Sequence, residues 1–279
     1  MSMDWVEVAG AGFRQELFKG RRRTLILVHE MGGTLESWDL LLPLLAPEQT
    51  VLRFDTRGAG QSSKLRGVAP FDRMTDDIVA LMDTNGLHGS AVLVGCAVGG
   101  ALVLHAASRH PNRIEGVVAL GPATGIAEER RPAILAHADR VEREGMLAVV
   151  EEELSRSYPE VLRADTERFR RYRARWLAND PGSYAAVYRM LVGLEMEEEL
   201  KRLAVPVLFL AGCFDPLRPP EMIERLARWV PGSRFEPIDS GHVAGIQTPE
   251  IVARHVAAFL KALDAGMVAA APNGSRSKG

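Results

Sequence analysis

Residues 91–107, AVLVGCAVGGALVLHAA, constrain this chain more than any other stretch. An apolar run of strand length, Ala91 to Val94, meets Gly95, Gly99 and Gly100 and passes at once into a second apolar run, Ala101 to Ala107. A strand apolar at every position is covered on both faces, and a helix that follows it directly packs back on the sheet it has just left. The stretch therefore predicts strand, sharp turn and helix. Gly95 and Gly99 bracket the turn in a Gly-x-Ala-x-Gly pattern, which projects the central residue, Ala97, over the carboxyl end of the strand at the start of the helix.

The same alternation continues along the chain. TLILVH (24–29), VLRFD (51–55), IEGVVALG (114–121), PVLFLAG (206–212) and RFEPID (234–239) read as strands. The apolar spacing of Met74, Ile78, Leu81 and Met82 within 72–87, and that of PPEMIERLARWV and EIVARHVAAFLKAL, reads as helix. Strands alternating with amphipathic helices predict an α/β fold built on a mainly parallel sheet. After Pro122 the pattern lapses into charged, strand-poor helix as far as Leu200. The expected organisation is a core of residues 1–121 and 201–265, a helical insertion of 122–200, and a flexible tail over 266–279.

A formal net charge of −2 argues against nucleic acid or an anionic membrane as partner. The opening MSMDWVEVAG has no basic segment followed by an apolar one, and the apolar stretch 91–104 is too short and glycine-broken to span a bilayer. The expectation is a cytoplasmic protein with Cys96 and Cys213 as reduced, buried thiols.

Two chemistries can be set against the turn. As Gly95-x-Ala97-x-x-Gly100 it matches loosely a dinucleotide-binding fingerprint, in which amides at a helix start hold a pyrophosphate. That use wants an acid at the end of the next strand, which here ends Ala119-Leu120-Gly121. Such a fingerprint also opens its fold, whereas this turn follows at least two core strands. The flanking glycines suit a projected nucleophile better, and a nucleophile needs a histidine base, an acid to orient it and amides for an oxyanion. Asp215, in GCFDPLRPP, and His242, in DSGHVAG, follow strands in that chain order. Asp239, a rival acid, falls on the wrong side of the last strand.

Over residues 10–265 the chain resembles the α/β-hydrolase superfamily. The marks are VHEMGG with Trp38 downstream, DTRGAGQS (55–62), the turn at 95–99, GCFDPLRP and SGHVAG. The resemblance implies an α/β-hydrolase sheet with a helical cap and a catalytic triad of the nucleophile at position 97, Asp215 and His242. It also implies oxyanion amides from Met31 and Val98, and a substrate pocket that includes Glu30 and Trp38. Neither a metal nor an organic cofactor is implied, and the partner is a small-molecule ester or lactone; oligomeric state is left open.

Three positions depart from the family pattern. Ala97 stands where the nucleophile belongs. Glu30 stands where the family has glycine after the loop histidine; its carboxylate would oppose charge developing on an oxyanion, so a structural role pointing away from the site is expected. Cys96 precedes the nucleophile position, but the turn projects its central residue, and Cys96 reads as a buried small hydrophobe. An aspartate nucleophile would come with proline in the oxyanion loop and tryptophan after the nucleophile, where Gly32-Gly33 and Val98 stand. The leading reading is a serine esterase or lactonase changed from serine to alanine at position 97, for instance to trap a substrate. The alternatives are a naturally non-catalytic ligand-binding relative, and a carbon–carbon bond hydrolase or lyase on the same scaffold. Asp215 and His242 favour the first, because a long-inactive site has little reason to keep a base and its orienting acid.

Other polar residues have plainer readings. His29 and Arg57 belong to the loop motifs and read as structural, and His105 as a core or surface histidine. In ERFRRYRARW, Phe169, Tyr172 and Trp176 mark a packed helical face, while Arg168, Arg170, Arg171, Arg173 and Arg175 mark a solvated one. The segment resembles the cap of enol-lactonases acting on carboxylated lactones, which leaves open that one of these arginines holds a substrate carboxylate.

Overall fold

The computed structural model describes residues 2–45 and 48–267. Its eight strands are β1 (Ser2–Val8), β2 (Ala11–Phe18), β3 (Thr24–Val28), β4 (Thr50–Phe54), β5 (Ala91–Cys96), β6 (Ile114–Leu120), β7 (Val207–Gly212) and β8 (Arg234–Ile238). They form one sheet in the order β1-β2-β4-β3-β5-β6-β7-β8. Pairing is parallel from β4 to β8, and β2 runs antiparallel to both of its neighbours.

Helices α1 (Leu42–Leu45), α2 (Phe71–Thr84) and α3 (Val98–Arg109) lie between β3 and β6. Between β6 and β7 come α4 (Arg131–Glu144), α5 (Val150–Ser157), α6 (Thr166–Leu177), α7 (Pro181–Val192) and α8 (Glu197–Leu200). The chain then adds α9 (Pro220–Trp229), α10 (Ala244–Gln247) and α11 (Pro249–Asp264). No helix among the described residues is long and apolar enough to cross a membrane. Most of the tail expected at 266–279 lies outside the described residues.

The continuous apolar strands have the burial that their pattern predicts. Leu93 of β5 packs with α2, α3 and α9 on one face, while its neighbours Val92 and Val94 pack with α1 and α11 on the other. The helices between β6 and β7 carry a separate core of Val141, Leu154, Tyr158, Tyr172 and Trp176. Val243 and Ile246, just after His242, complete that core and seat the helical segment over the carboxyl edge of the sheet. A backbone bridge between Gly125 and Glu195 joins the two ends of the segment.

The β1–β2 hairpin is absent from the sequence reading. Its turn is Ala9-Gly10, at φ 52° and 76°, and β2 buries charged residues where an apolar alternation would have announced a strand. Arg14 and Glu16 are nonetheless 7% and 6% exposed. Their burial depends on partners: Arg53 donates to Glu16 at 2.8 Å, and Arg14 forks onto Asp55 at 2.7 Å and Glu36 at 2.6 Å. Asp55 also accepts the Leu35 amide at 2.8 Å, so this network holds the loop after β3 in place.

Burial pushes the Glu36 carboxyl up, but the Arg14 fork and the Thr34 hydroxyl outweigh it and hold the group at about 2 against an ordinary 4.5. A carboxyl lowered by folding stabilises fully above its unfolded value and loses that contribution as pH falls through the folded one. Glu36→Gln is therefore expected to cost about 2 kcal/mol at pH 7, the full linkage being reduced by the solvent that this half-buried group still meets. The deficit against the parent should shrink between pH 4.5 and 2. Urea unfolding of both proteins at pH 7 and pH 3 measures this, and an equal deficit at both would contradict it.

Candidate active site

β5 ends at Cys96 and α3 begins at Val98, which leaves Ala97 alone in the turn at φ 50°, ψ −110°. Only glycine visits that region freely, and an L residue there is strained by about 1–3 kcal/mol. The surroundings over-determine it. The Ala97 N–H donates to the Leu120 carbonyl at 2.9 Å, and its own carbonyl accepts from Ala101 at 3.1 Å and Ala123 at 3.0 Å. A Cβ on Gly99 would come within 2.5 Å of the His29 carbonyl oxygen, so the helix start can approach β3 only because that position has no side chain. Ala97→Gly should relieve the strain and stabilise the fold by about 1 kcal/mol, less the entropy glycine returns to the unfolded chain. A fall in melting temperature would show that the turn is not strained.

Asp215 follows β7 and His242 follows β8, so both leave the carboxyl edge of neighbouring strands. His242 Nδ1 lies 2.8 Å from Asp215 Oδ2, and Asp215 Oδ1 accepts the Leu217 and Arg218 amides at 2.8 and 3.1 Å. Burial pushes the Asp215 carboxyl up, but the His242 charge and hydrogen bond with the two amides outweigh it and hold it below the usual carboxylate range. An ionised acceptor there keeps the proton on Nδ1, which leaves the Nε2 lone pair of a neutral ring free to act as base.

His242, Ala97, Val98 and Met31 line one cavity of about 90 Å³, roofed by Tyr172, Trp176 and Tyr184 of the helical segment. The Met31 and Val98 amides have no hydrogen-bond partner among the described residues. Val98 opens α3, so its N–H carries the positive end of that helix toward the cavity. His242, backed by Asp215 at 2.8 Å, thus shares one cavity with Ala97 and with Met31 and Val98. No group of three or more His, Cys, Asp or Glu side chains among the described residues is placed to hold a metal ion.

The family profile described as alpha/beta hydrolase fold matches residues 23–249. The chain belongs to the α/β-hydrolase family. Among curated relatives, this α/β hydrolase is 25% identical over 241 residues to 3-oxoadipate enol-lactonase 2 of Acinetobacter baylyi, spanning 86% of this chain and 89% of that one. It is 26% identical over 232 residues to a putative carbamate hydrolase, RutD, of Stutzerimonas stutzeri, spanning 81% and 87%. Among solved structures, a malate-bound thermophilic esterase from Thermogutta terrifontis superposes with TM-score 0.87 at 28% identity, covering 93% of this chain and 99% of that one.

Two residues expected in the pocket do not line the cavity. Trp38 is 1% exposed and packs in the core beneath the sheet against Gly245. Glu30 turns back over Gly33 and accepts the Ser37 hydroxyl at 2.9 Å, as the structural reading of its carboxylate requires. Cys213 is exposed rather than buried, because it sits past the end of β7 in the acid's loop. Cys96 is buried with its sulfur 3.3 Å from the His242 carbonyl, and burial pushes its thiol well up.

His29 bridges two loops: its Nε2 accepts the Thr56 amide at 2.9 Å and its Nδ1 donates to the Glu30 carbonyl at 2.7 Å. Arg57 pairs with Asp77 at 2.7 Å, and His105 lies between Asp72 and Glu199. Asp239 is exposed. The five arginines of α6 face elsewhere: Arg170 and Arg171 pair with Glu167, Arg173 with Glu151, and Arg168 and Arg175 donate to backbone carbonyls. The arginines that do line the cavity are Arg130, Arg156 and Arg218, which the sequence reading did not single out. Arg218 was the findable one, since it lies three residues after Asp215 on the same loop.

Proposed function

We propose that this chain is the scaffold of a serine hydrolase for a small carboxylic ester or lactone, with Ala97 in place of the serine and residues 122–200 serving as its cap. The observation that carries the reading is the intact His242–Asp215 pair, 2.8 Å apart, in the cavity that holds Ala97. With a serine at 97, His242 Nε2 takes the hydroxyl proton as the oxygen attacks the ester carbonyl. The Met31 and Val98 amides then hold the oxyanion, and Asp215 stabilises the imidazolium. His242 returns the proton to the departing alkoxide, and water, activated by the same histidine, releases the acid. The names of the lactonase, carbamate hydrolase and esterase relatives support acyl hydrolysis without choosing the acyl group.

The same dyad also favours a second reading. A base facing an oxyanion site, with no nucleophile between them, suits removal of a proton from carbon beside a carbonyl, as in a lyase. Aryl esters, lactones, carbamates and diketones assayed with the parent chain, Ala97→Ser and His242→Ala separate the two. Hydrolysis by the serine variant alone supports the first reading. Turnover of a carbon acid by the parent, lost in His242→Ala, supports the second and removes the first.

A further inference from the structure

Two guanidinium groups reach the cavity with no anion to meet them. Arg218 and Arg130 both line it, and neither forms an ion pair among the described residues. Among the described residues the Arg218 guanidinium makes one hydrogen bond, from Nη1 to the carbonyl of its neighbour Leu217 at 2.8 Å. What Asp215 receives from Arg218 is the backbone N–H, not the side chain. By contrast, Arg14, Arg53 and Arg57, whose side chains lie deeper in the fold, each rest on a carboxylate. Burial holds the Arg218 charge below the usual arginine range; Asp215 and Tyr188 oppose this, and the like charge of Arg130 adds to it.

The remaining charges at the cavity are satisfied. Glu153 accepts the Tyr188 hydroxyl at 2.7 Å and the Tyr184 hydroxyl at 3.2 Å, and it pairs with His137 at 2.7 Å and Arg156 at 3.3 Å. Arg218 is half-buried and Arg130 exposed at the rim, and two cations that repel across one cavity are a natural seat for an anionic ligand.

We propose that Arg218 and Arg130 form a carboxylate-recognition site, so that the substrate is a half-ester or lactone bearing a free carboxylate. This rests on the reading of the cavity as an acyl-substrate pocket. A planar fork of donors matches a planar carboxylate in two parallel bonds, and the small cavity suits a short acid. Arg130 stands at the entry to the helical segment and Arg218 on the loop of the triad acid, so a bound carboxylate ties the two together beside His242.

The parent chain lacks the nucleophile, so it can bind an ester at equilibrium without consuming it. Calorimetry of monomethyl succinate against dimethyl succinate at pH 7 is expected to show about tenfold tighter binding of the anion, the order of one charge-assisted bond. Arg218→Gln should reduce the preference to under about twofold, and Arg218→Lys should keep part of it, since a point charge replaces the fork. Arg130→Gln, at an exposed position that the fold does not need, should lower it several-fold. Equal binding of the two esters, no binding of the half-ester at millimolar concentration, or a preference that survives both glutamine changes overturns the proposal. Turnover by Ala97→Ser reads the hydrolase assignment separately. An active serine variant indifferent to charge removes the carboxylate site alone, whereas anion preference beside an inert serine variant removes hydrolysis alone.

Discussion

Ala97→Ser is expected to raise aryl-ester turnover by about 10⁴- to 10⁶-fold over the chain as it stands. Removing the serine from a working triad costs about 10⁶-fold, and the reverse change recovers what the rest of the site can still use. On the proposed reading, the rest is His242, Asp215 and the Met31 and Val98 amides. The turn already holds position 97 at φ 50°, so a serine hydroxyl enters without backbone movement. The base lies in the same cavity, its acid 2.8 Å behind it, and the Met31 and Val98 amides are unspent. Release of p-nitrophenolate by the two proteins measures the gain. A folded serine variant within about tenfold of the parent would mean that Nε2 and the hydroxyl never meet, and acyl hydrolysis would have to be abandoned.

Asp215→Asn in the serine background is expected to lower kcat by about 10⁴-fold, far beyond the loss of one hydrogen bond. The carboxylate accepts from Nδ1 and from two backbone amides, and it is 3% exposed. An amide in its place can turn its NH₂ toward Nδ1. That moves the ring proton to Nε2, the atom that must act as base. The effect should appear in kcat with KM little changed, and a melting curve like that of the serine parent separates it from unfolding. A drop under tenfold would show that Asp215 positions the loop rather than the histidine.

How much of this was legible in the sequence depended on the kind of residue involved. The parallel strands stood out because both of their faces are covered and every position had to be apolar, as in β5 and β7. Asp215 and His242 could be placed together because each follows a strand signal, β7 and β8, and adjacent parallel strands deliver their loops to one edge. The β1–β2 hairpin was hidden because β2 buries Arg14 and Glu16 against partners far along the chain, which local alternation cannot register. The cavity arginines escaped notice for the same reason. Those of α6 cluster in sequence but are each occupied, while Arg130 and Arg218 lie 88 positions apart and meet only through the fold. Trp38 was drawn toward the pocket by its place after the loop motif, yet the turn at Leu35–Trp38 drives its ring into the core instead.

The most direct test of the silenced triad is intact-protein mass spectrometry of the chain, its Ala97→Ser variant, and Ala97→Ser with His242→Ala, each treated with a fluorophosphonate. A serine activated by His242 displaces fluoride and keeps the phosphonyl group. The account predicts one adduct on the serine variant, mapped to residue 97, and none on either of the others. No adduct on the folded serine variant, or labelling that ignores His242, would contradict it.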